Sequence, residues 1–308
     1  MHEHIARIAY HITVHLLNAS MVCVAALLLT SIGRGSATAK YWIWVATSLN
    51  FVLPLGAILD KSLSAYLSWA RPFSPAGDVG LIVAQNAPAV VTTWLVGAFL
   101  MFTLLSMRLR AEHRIVQSAY GTDASRARSA LFRGVPVRFA RTSQGPAVDG
   151  ILRPHIFLPK AIIDLLNERE LDAVLIHELT HARRRDNLIR LIYELGLCAL
   201  WFNPLVWIAG SRMALYRELS CDEYVIQNAR GGDLVSALGK LANPDGPLLL
   251  RASASSFLSH RVARLVAPQP QRTGLAASAL LTVVFSAVLL AGVFGTVART
   301  ACCFLARK

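Results

Sequence analysis

Acidic side chains are scarce in this chain, with 18 Asp and Glu against 31 Lys and Arg, and charged residues of both signs fill only 16% of its 308 positions. An average soluble domain carries about 25%, and here hydrophobic residues reach 55% with a mean hydropathy of +0.48. Membrane insertion is therefore the first expectation. Cysteine is also sparse. Five are present, an odd number in no metal-binding spacing, which argues against a disulfide framework and against a cysteine-ligated zinc. Cys23, Cys198 and Cys221 read as small apolar packing, while Cys302 and Cys303 form a vicinal pair past the last apolar run. The N-terminus lacks the basic start and A-x-A site of a cleaved signal peptide. Internal repeats and low-complexity tracts are absent too.

Long apolar runs, by contrast, are plentiful. Four windows, approximately 9–32, 41–59, 88–107 and 274–297, are long and apolar enough for the roughly 20 helical residues that cross a hydrocarbon core of about 30 Å. The first contains His11 and His15, which directs its early turns toward protein or the interface rather than lipid.

The excess of positive charge, +13, would on a soluble protein point to nucleic acid. Its location argues otherwise. Arg108, Arg110, Arg114, Arg126, Arg128 and Arg133 all follow the third window closely, the positive-inside pattern of a cytoplasmic segment. Between windows two and three, Lys61 and Arg71 are balanced by Asp60 and Asp78, which reads as the outer side. Alternation then places the N-terminus outside, Arg34 and Lys40 inside, the segment 108–273 inside and the C-terminus outside, although Arg299, Arg307 and Lys308 count against the last placement. Direct nucleic-acid binding is not expected; the lipid bilayer is.

The segment between windows three and four has the size of one compact domain. Its basic start, to about Arg133, reads as a helical extension or a linker. "GVPVRFARTSQGPAVDGILRPHIFLPKAI" then predicts two or three strands with a hairpin near Asp149-Gly150. Asn167, with Glu170 three residues on, predicts a capping box at the start of a helix striped by Leu171, Val174, Leu175 and Leu179. Asn203 and Pro204 predict the cap and first residue of a second helix, ending near Arg230 at Gly231-Gly232.

"LIHELTHARRRD" carries the chemistry. On a helix, His177 and His181 point from one face one turn apart, so both imidazoles reach a single ion. Glu178 is turned about 100° away and can meet a metal-bound water instead. Zinc would acidify that water, Glu178 would take its proton, and hydroxide would attack a peptide carbonyl. The bland alternative is two histidines and an acid on a solvated helix face, so a third ligand decides. "LYRELSCDEYV" offers Glu218, with Asp222 on the same face to accept the outer N–H of a ligand imidazole; Glu223 reads as solvated.

Two constraints follow. His181 lies 22 residues before Asn203 and Glu218 only 15 after it, so a straight hairpin would misplace Glu218 by roughly 10 Å. A break or kink between Gly196 and Asn203 is expected. The apolar stretch 188–210 cannot cross the bilayer, since His181 and Glu218 would then lie on opposite faces; it reads as a hairpin at the interface, with Trp201, Phe202 and Trp207 at headgroup depth.

The motifs "HELTHARRRD", "WFNP" with Trp207, and Glu218-x-x-Cys221-Asp222, preceded by Gly150, Pro154, Ile156, Leu158 and Pro159, resemble the M56 peptidases, the family of the BlaR and MecR antibiotic-sensing proteins. The likeness covers nearly the whole chain. It implies an integral membrane α-helical protein of about four spans, with an α+β gluzincin-type zinc metallopeptidase domain between spans three and four. The implied zinc ligands are His177, His181 and Glu218, with Glu178 catalytic and Asp222 holding an imidazole. "SHRVARL" resembles a segment of related membrane gluzincins and makes Arg261, or less strongly His260, a candidate oxyanion stabiliser; contact with lipid headgroups is the competing role. Arg183 to Arg185 and Asp186 read equally as a basic membrane-facing surface or as substrate contacts. "GILRPHIFLP" is a candidate edge strand on which an extended peptide could pair. The family's sensors carry a penicillin-binding domain after the fourth span, which this sequence is expected to lack.

The expected organisation is a membrane region over 1–107, a cytoplasmic peptidase domain over 108–273, and a fourth span with a short outer tail over 274–308. The expected function is a Zn2+-dependent metalloendopeptidase of the bacterial inner membrane. It would cut a cytoplasmic protein, such as a winged-helix repressor or itself, in signal-regulated proteolysis; a homodimer is compatible with this. The alternatives are a housekeeping protease of the HtpX or Ste24 kind, disfavoured because those chains place spans between the histidine motif and the third ligand, and a non-catalytic signalling module that keeps the zinc fold.

Overall fold

The computed structural model describes residues 2–32, 35–53, 85–120, 130–140, 145–228, 230–242, 258–266 and 278–287. Among the described residues three helices come first: α1 (His2–Ile32), α2 (Ala37–Val52) and α3 (Ala87–Tyr120). The stretches His15–Ile32 and Ala87–Arg114 are long and apolar enough to cross a membrane. Along α3 the apolar side chains Val96, Phe99, Leu100 and Phe102 are exposed, as suits a surface turned to lipid. The helix passes position 107 unbroken, so the basic segment begins as a helical extension. The second and fourth expected spans are described only in part, by α2 and by α10 (Ser278–Ala287); the rest of each lies outside the described residues. His15 turns inward, its Nε2 3.2 Å from the Phe51 carbonyl oxygen.

A four-stranded sheet follows, from β1 (Ala130–Phe132), β2 (Val135–Ala140), β3 (Ala147–Asp149) and β4 (His155–Pro159), in the order β1-β2-β4-β3. β2 and β4 run parallel, with Val137 opposite Ile156, and the other pairs are antiparallel. The hairpin at Asp149-Gly150 is present as β3–β4, and Gly150 has the positive φ of 89° that favours a glycine at its turn. One expectation is corrected: the strand within "GILRPHIFLP" is β4, which is buried throughout and paired on both sides, so the edge belongs to β3.

The short helix α4 (Lys160–Leu165) leads to α5 (Glu168–Arg184), whose capping box of Asn167 and Glu170 forms with both hydrogen bonds at 2.9 Å. Then α6 (Asp186–Ala199) and α7 (Pro204–Gln227) follow, the latter capped by the Asn203 side chain with Pro204 in its first turn. The chain does break between Ala199 and Pro204 as required. A second, unforeseen break lies at Arg185, which adopts a left-handed conformation (φ 56°, ψ 46°) between α5 and α6. A non-glycine residue there costs about 1–2 kcal/mol, and the hydrogen bonds of the next residue, Asp186, offset it. α6 and α7 then pack so closely that a Cβ at Gly210 would collide with the Tyr193 hydroxyl.

α7 ends at Gln227, short of the expected stop at Gly231-Gly232; those glycines instead begin α8 (Gly231–Leu241), which buries Leu234, Ala237, Leu238 and Leu241 at helical spacing. α9 (Leu258–Val266) closes the described domain. Two apolar clusters result. One joins α1, α2 and most of α7 through residues such as Val22, Trp44, Val206 and Met213; the other joins the sheet, α5 and α8 through Ile156, Ile176, Leu179 and Leu234, with Val225 from the end of α7.

Candidate metal centre

The break at Arg185 folds α6 back and lets α7 pass across the His177–His181 face of α5. This brings Glu218 to both histidines, closing the gap that a straight hairpin would leave. His177 Nε2 and His181 Nε2 stand 3.2 Å apart, and the Glu218 oxygens stand 3.5 Å from the first and 3.8 Å from the second. Ligand atoms about 2.0–2.2 Å from a tetrahedral zinc are separated by roughly 3.3 Å, so the three groups are close to the arrangement one ion requires.

The outer nitrogens explain why the inner ones face each other. His181 Nδ1 lies 2.6 Å from Asp186 Oδ2, and His177 Nδ1 lies 3.0 Å from Asp222 Oδ1 in a contact that is short but poorly aligned as a hydrogen bond. A neutral imidazole that turns its Nδ1 proton toward the carboxylate presents a bare Nε2 lone pair to the inside. In that tautomer two lone pairs and a carboxylate converge. Such a cluster calls for a cation, and its nitrogen and oxygen donors suit zinc.

Burial and the Arg261 charge pull the His177 imidazole down, but Asp222 and Glu218 outweigh them and push it up to about 9, so a metal bound at Nε2 would displace a proton. Glu218 itself is held well below the ordinary carboxylate range: burial opposes this, and Arg217 and the two histidines overcome it. Arg217 donates to Glu218 Oε1 at 2.9 and 3.1 Å, fixing the carboxylate so that Oε2 faces His177.

Each imidazole has its own support. Asp222, fully buried, accepts two hydrogen bonds of 2.8 Å from Arg261 Nε and Nη2. Arg261 is only 5% exposed, so a role at lipid headgroups is excluded, and its Nη1 is left 3.8 Å from Glu218 Oε2. The neighbouring His260 is exposed. On the other side, Asp186 accepts from Arg184 at 2.8 and 2.6 Å and from the Tyr41 hydroxyl at 2.9 Å. Burial would raise its pKa, but His181 and Arg184 lower it strongly.

Sequence reasoning missed this second support. Asp186 is buried and Arg184 half-buried, both members of the network and not part of an exposed basic face; the available signal was an acid five residues past His181 beside an arginine. Arg183 instead donates to the Arg133 carbonyl at 3.0 Å. Glu223, expected to be solvated, accepts from the backbone N–H groups of Ala37 and Thr38 and from the Thr38 hydroxyl, so it caps α2.

Cys221 lies within 4.8 Å of donor atoms on both histidines. It is nevertheless on the wrong side, because its sulfur is 3.5 Å from His181 Nδ1, the nitrogen already committed to Asp186. Burial pushes its thiol well above the ordinary range, although the Arg184 guanidinium 3.2 Å away opposes this. A protonated thiol is a poor ligand.

Glu178 is 8% exposed and lines the same cavity as His177, His181 and Glu218, which has a volume of about 280 Å³. Ala147 and Val148 of the β3 edge form one wall, and Leu234, Leu238 and Leu241 of α8 another. The arrangement can therefore hold one divalent ion with a carboxylate beside it, below a strand edge.

The Regulatory protein BlaR1 of Bacillus licheniformis is 32% identical over 129 residues, 40% of this chain and 21% of that protein. The Methicillin resistance mecR1 protein of Staphylococcus aureus is 26% identical over 93 residues, and the Regulatory protein BlaR1 of the same organism 26% over 96 residues, each match covering 16% of the relative. The chain thus spans about a fifth or less of these relatives. The family described as BlaR1 peptidase M56 matches residues 10–234, well over half of the sequence, and the chain belongs to that family.

Proposed function

We propose that the chain is a membrane-integrated zinc metalloendopeptidase that cuts a cytoplasmic protein substrate. The observation that carries this reading is the convergence of His177 Nε2, His181 Nε2 and the Glu218 carboxylate, all within 3.8 Å of one another. Zinc bound there supplies Lewis acidity toward water and a peptide carbonyl. Glu178, one position along α5 from the first ligand, takes the proton from the attacking water and delivers it to the leaving amine. Asp222 and Asp186 hold the imidazoles in the tautomer that binds metal. Arg261 fixes Asp222, which leaves Nη1 as the atom to face a developing oxyanion. The β3 edge, with Ala147 and Val148 at the cavity, pairs with an extended substrate backbone.

The run of basic residues from Arg108 to Arg133 supports a cytoplasmic domain, where a transcriptional repressor of winged-helix type or a neighbouring copy of the chain is within reach. Purified full-length protein loaded with zinc, set beside Glu178→Ala, tests the reading with casein and a winged-helix repressor as substrates. Cleavage by the wild type alone supports a peptidase. Cleavage by both proteins equally, or by neither, overturns it in favour of a signalling module.

A further inference from the structure

We infer that Tyr41 is a positioning residue of the metal site: from the apolar helix α2 it holds Asp186, and through Asp186 the His181 imidazole. The inference rests on the zinc reading above and extends it to a residue outside the domain that carries the ligands.

Asp186 has two oxygens, and each is used twice. Oδ2 takes His181 Nδ1 at 2.6 Å and Arg184 Nη2 at 2.6 Å; Oδ1 takes Arg184 Nε at 2.8 Å and the Tyr41 hydroxyl at 2.9 Å. The Tyr41 bond therefore helps fix the rotation of the carboxylate that aims His181. Arg184, the other group on Asp186, is itself seated on Tyr41, its guanidinium carbon 4.1 Å from the ring centre. Tyr41 is 1% exposed and cannot swing away without repacking.

The first turn of α2 is held at its N-terminal end as well. Glu223, next in sequence to the His177 support Asp222, accepts from Thr38 N at 2.9 Å and Thr38 Oγ1 at 2.8 Å. One helix turn, from Ala37 to Tyr41, is thus bonded beside both imidazole supports. A shift of α2 along or about its axis would move Asp186 directly and change how tightly His181 holds metal.

The test is the zinc affinity of the full chain in detergent, by competition with a chromophoric chelator, together with the visible spectrum of the cobalt-loaded protein. Replacing a group that orients a ligand typically lowers metal affinity by about 10–100-fold, which is expected for Asp186→Asn. One bond further out, Tyr41→Phe should weaken binding by about three- to tenfold and alter the cobalt spectrum. In the Asp186→Asn background it should add almost nothing. Tyr193→Phe, whose hydroxyl bonds the Val206 carbonyl instead, is the control and should bind as wild type. Wild-type affinity and spectrum in Tyr41→Phe, or full additivity with Asp186→Asn, would overturn the inference while leaving the zinc site intact. A lowered melting midpoint of the metal-free Tyr41→Phe with an unchanged cobalt spectrum would make it a packing residue and also overturn it. Failure of the wild type to bind zinc would overturn the zinc reading and this inference together.

Discussion

The two apolar clusters that meet on α7 are built from different material. The one shared with α1 and α2 is rich in small residues, Ala19, Cys23, Ala26, Ala37 and Ala209, and has Lys40, Thr47 and Ser48 buried nearby. Small side chains let helix backbones approach closely, the way helices associate in lipid. The cluster shared with the sheet, α5 and α8 is mostly branched aliphatic, as in a water-soluble core. The metal centre lies at the seam between them. His177 is supported from the domain half, by Asp222 and Arg261, and His181 from a network that reaches the α2 half through Tyr41. One site is therefore held from two structures that respond to different surroundings.

The largest expected effect leaves that division untouched and removes only the chemistry. Glu178→Gln should lower turnover by about 10²–10⁴-fold with zinc content unchanged, the usual range for a general acid–base group. Loss of zinc instead would mean that Glu178 is part of the support.

Next come the two supports themselves. Asp222→Asn and Asp186→Asn should each weaken zinc binding by about 10–100-fold, but their structural costs should differ. Asp222→Asn strips buried Arg261 of its bidentate partner, which costs about 3–5 kcal/mol, whereas Arg184 retains Ser220 and the Arg217 carbonyl after Asp186→Asn. Equal melting losses in the two variants would remove the asymmetry.

The clusters can be separated by core truncation. Leu179→Ala, at a fully buried site in the domain core, should cost about 2–5 kcal/mol. Val22→Ala on α1, with lipid replacing water as the alternative environment, should cost less because only packing is lost. The reverse order in denaturant titrations would argue that α1 is a soluble core helix.

The smallest effect belongs to the domain half alone. Lys240 and Ser236 hold Glu170 down to about 2, from an ordinary 4.5. A lowered folded-state pKa contributes stability that is complete above 4.5 and is lost as the pH falls toward 2. Because Lys240 is substantially exposed, the contribution should be about 1 kcal/mol. Lys240→Met should melt lower than wild type at pH 6 and converge with it near pH 2.

The contrast also explains what could be read from the sequence. The helical capping signals at Asn167 and Asn203, and the spacing of His177, Glu178 and His181, are local, so they are visible in a short window. Glu218 was reachable because a hydrolytic zinc site needs a third ligand and few acids are available. The Arg185 break was not, because the left-handed conformation that favours glycine falls here on an arginine, held by bonds to a residue that only the fold reveals. Glu223 and Tyr41 were hidden for a related reason: their partners lie 185 and 145 residues away in sequence. The α8 stripe of Leu234, Ala237, Leu238 and Leu241 was legible, but Gly231-Gly232 reads first as an ending. The place of β4 inside the sheet depended on strand order, which no single strand's composition encodes.

The central claim is that Glu218, and not Cys221, completes the metal site. Zinc X-ray absorption on the purified, metal-loaded full chain tests it most directly. The account predicts a first shell of nitrogen and oxygen alone, at about 2.0–2.2 Å, with two imidazole signatures that persist in Cys221→Ala. A sulfur shell at about 2.3 Å that disappears in Cys221→Ala would contradict it.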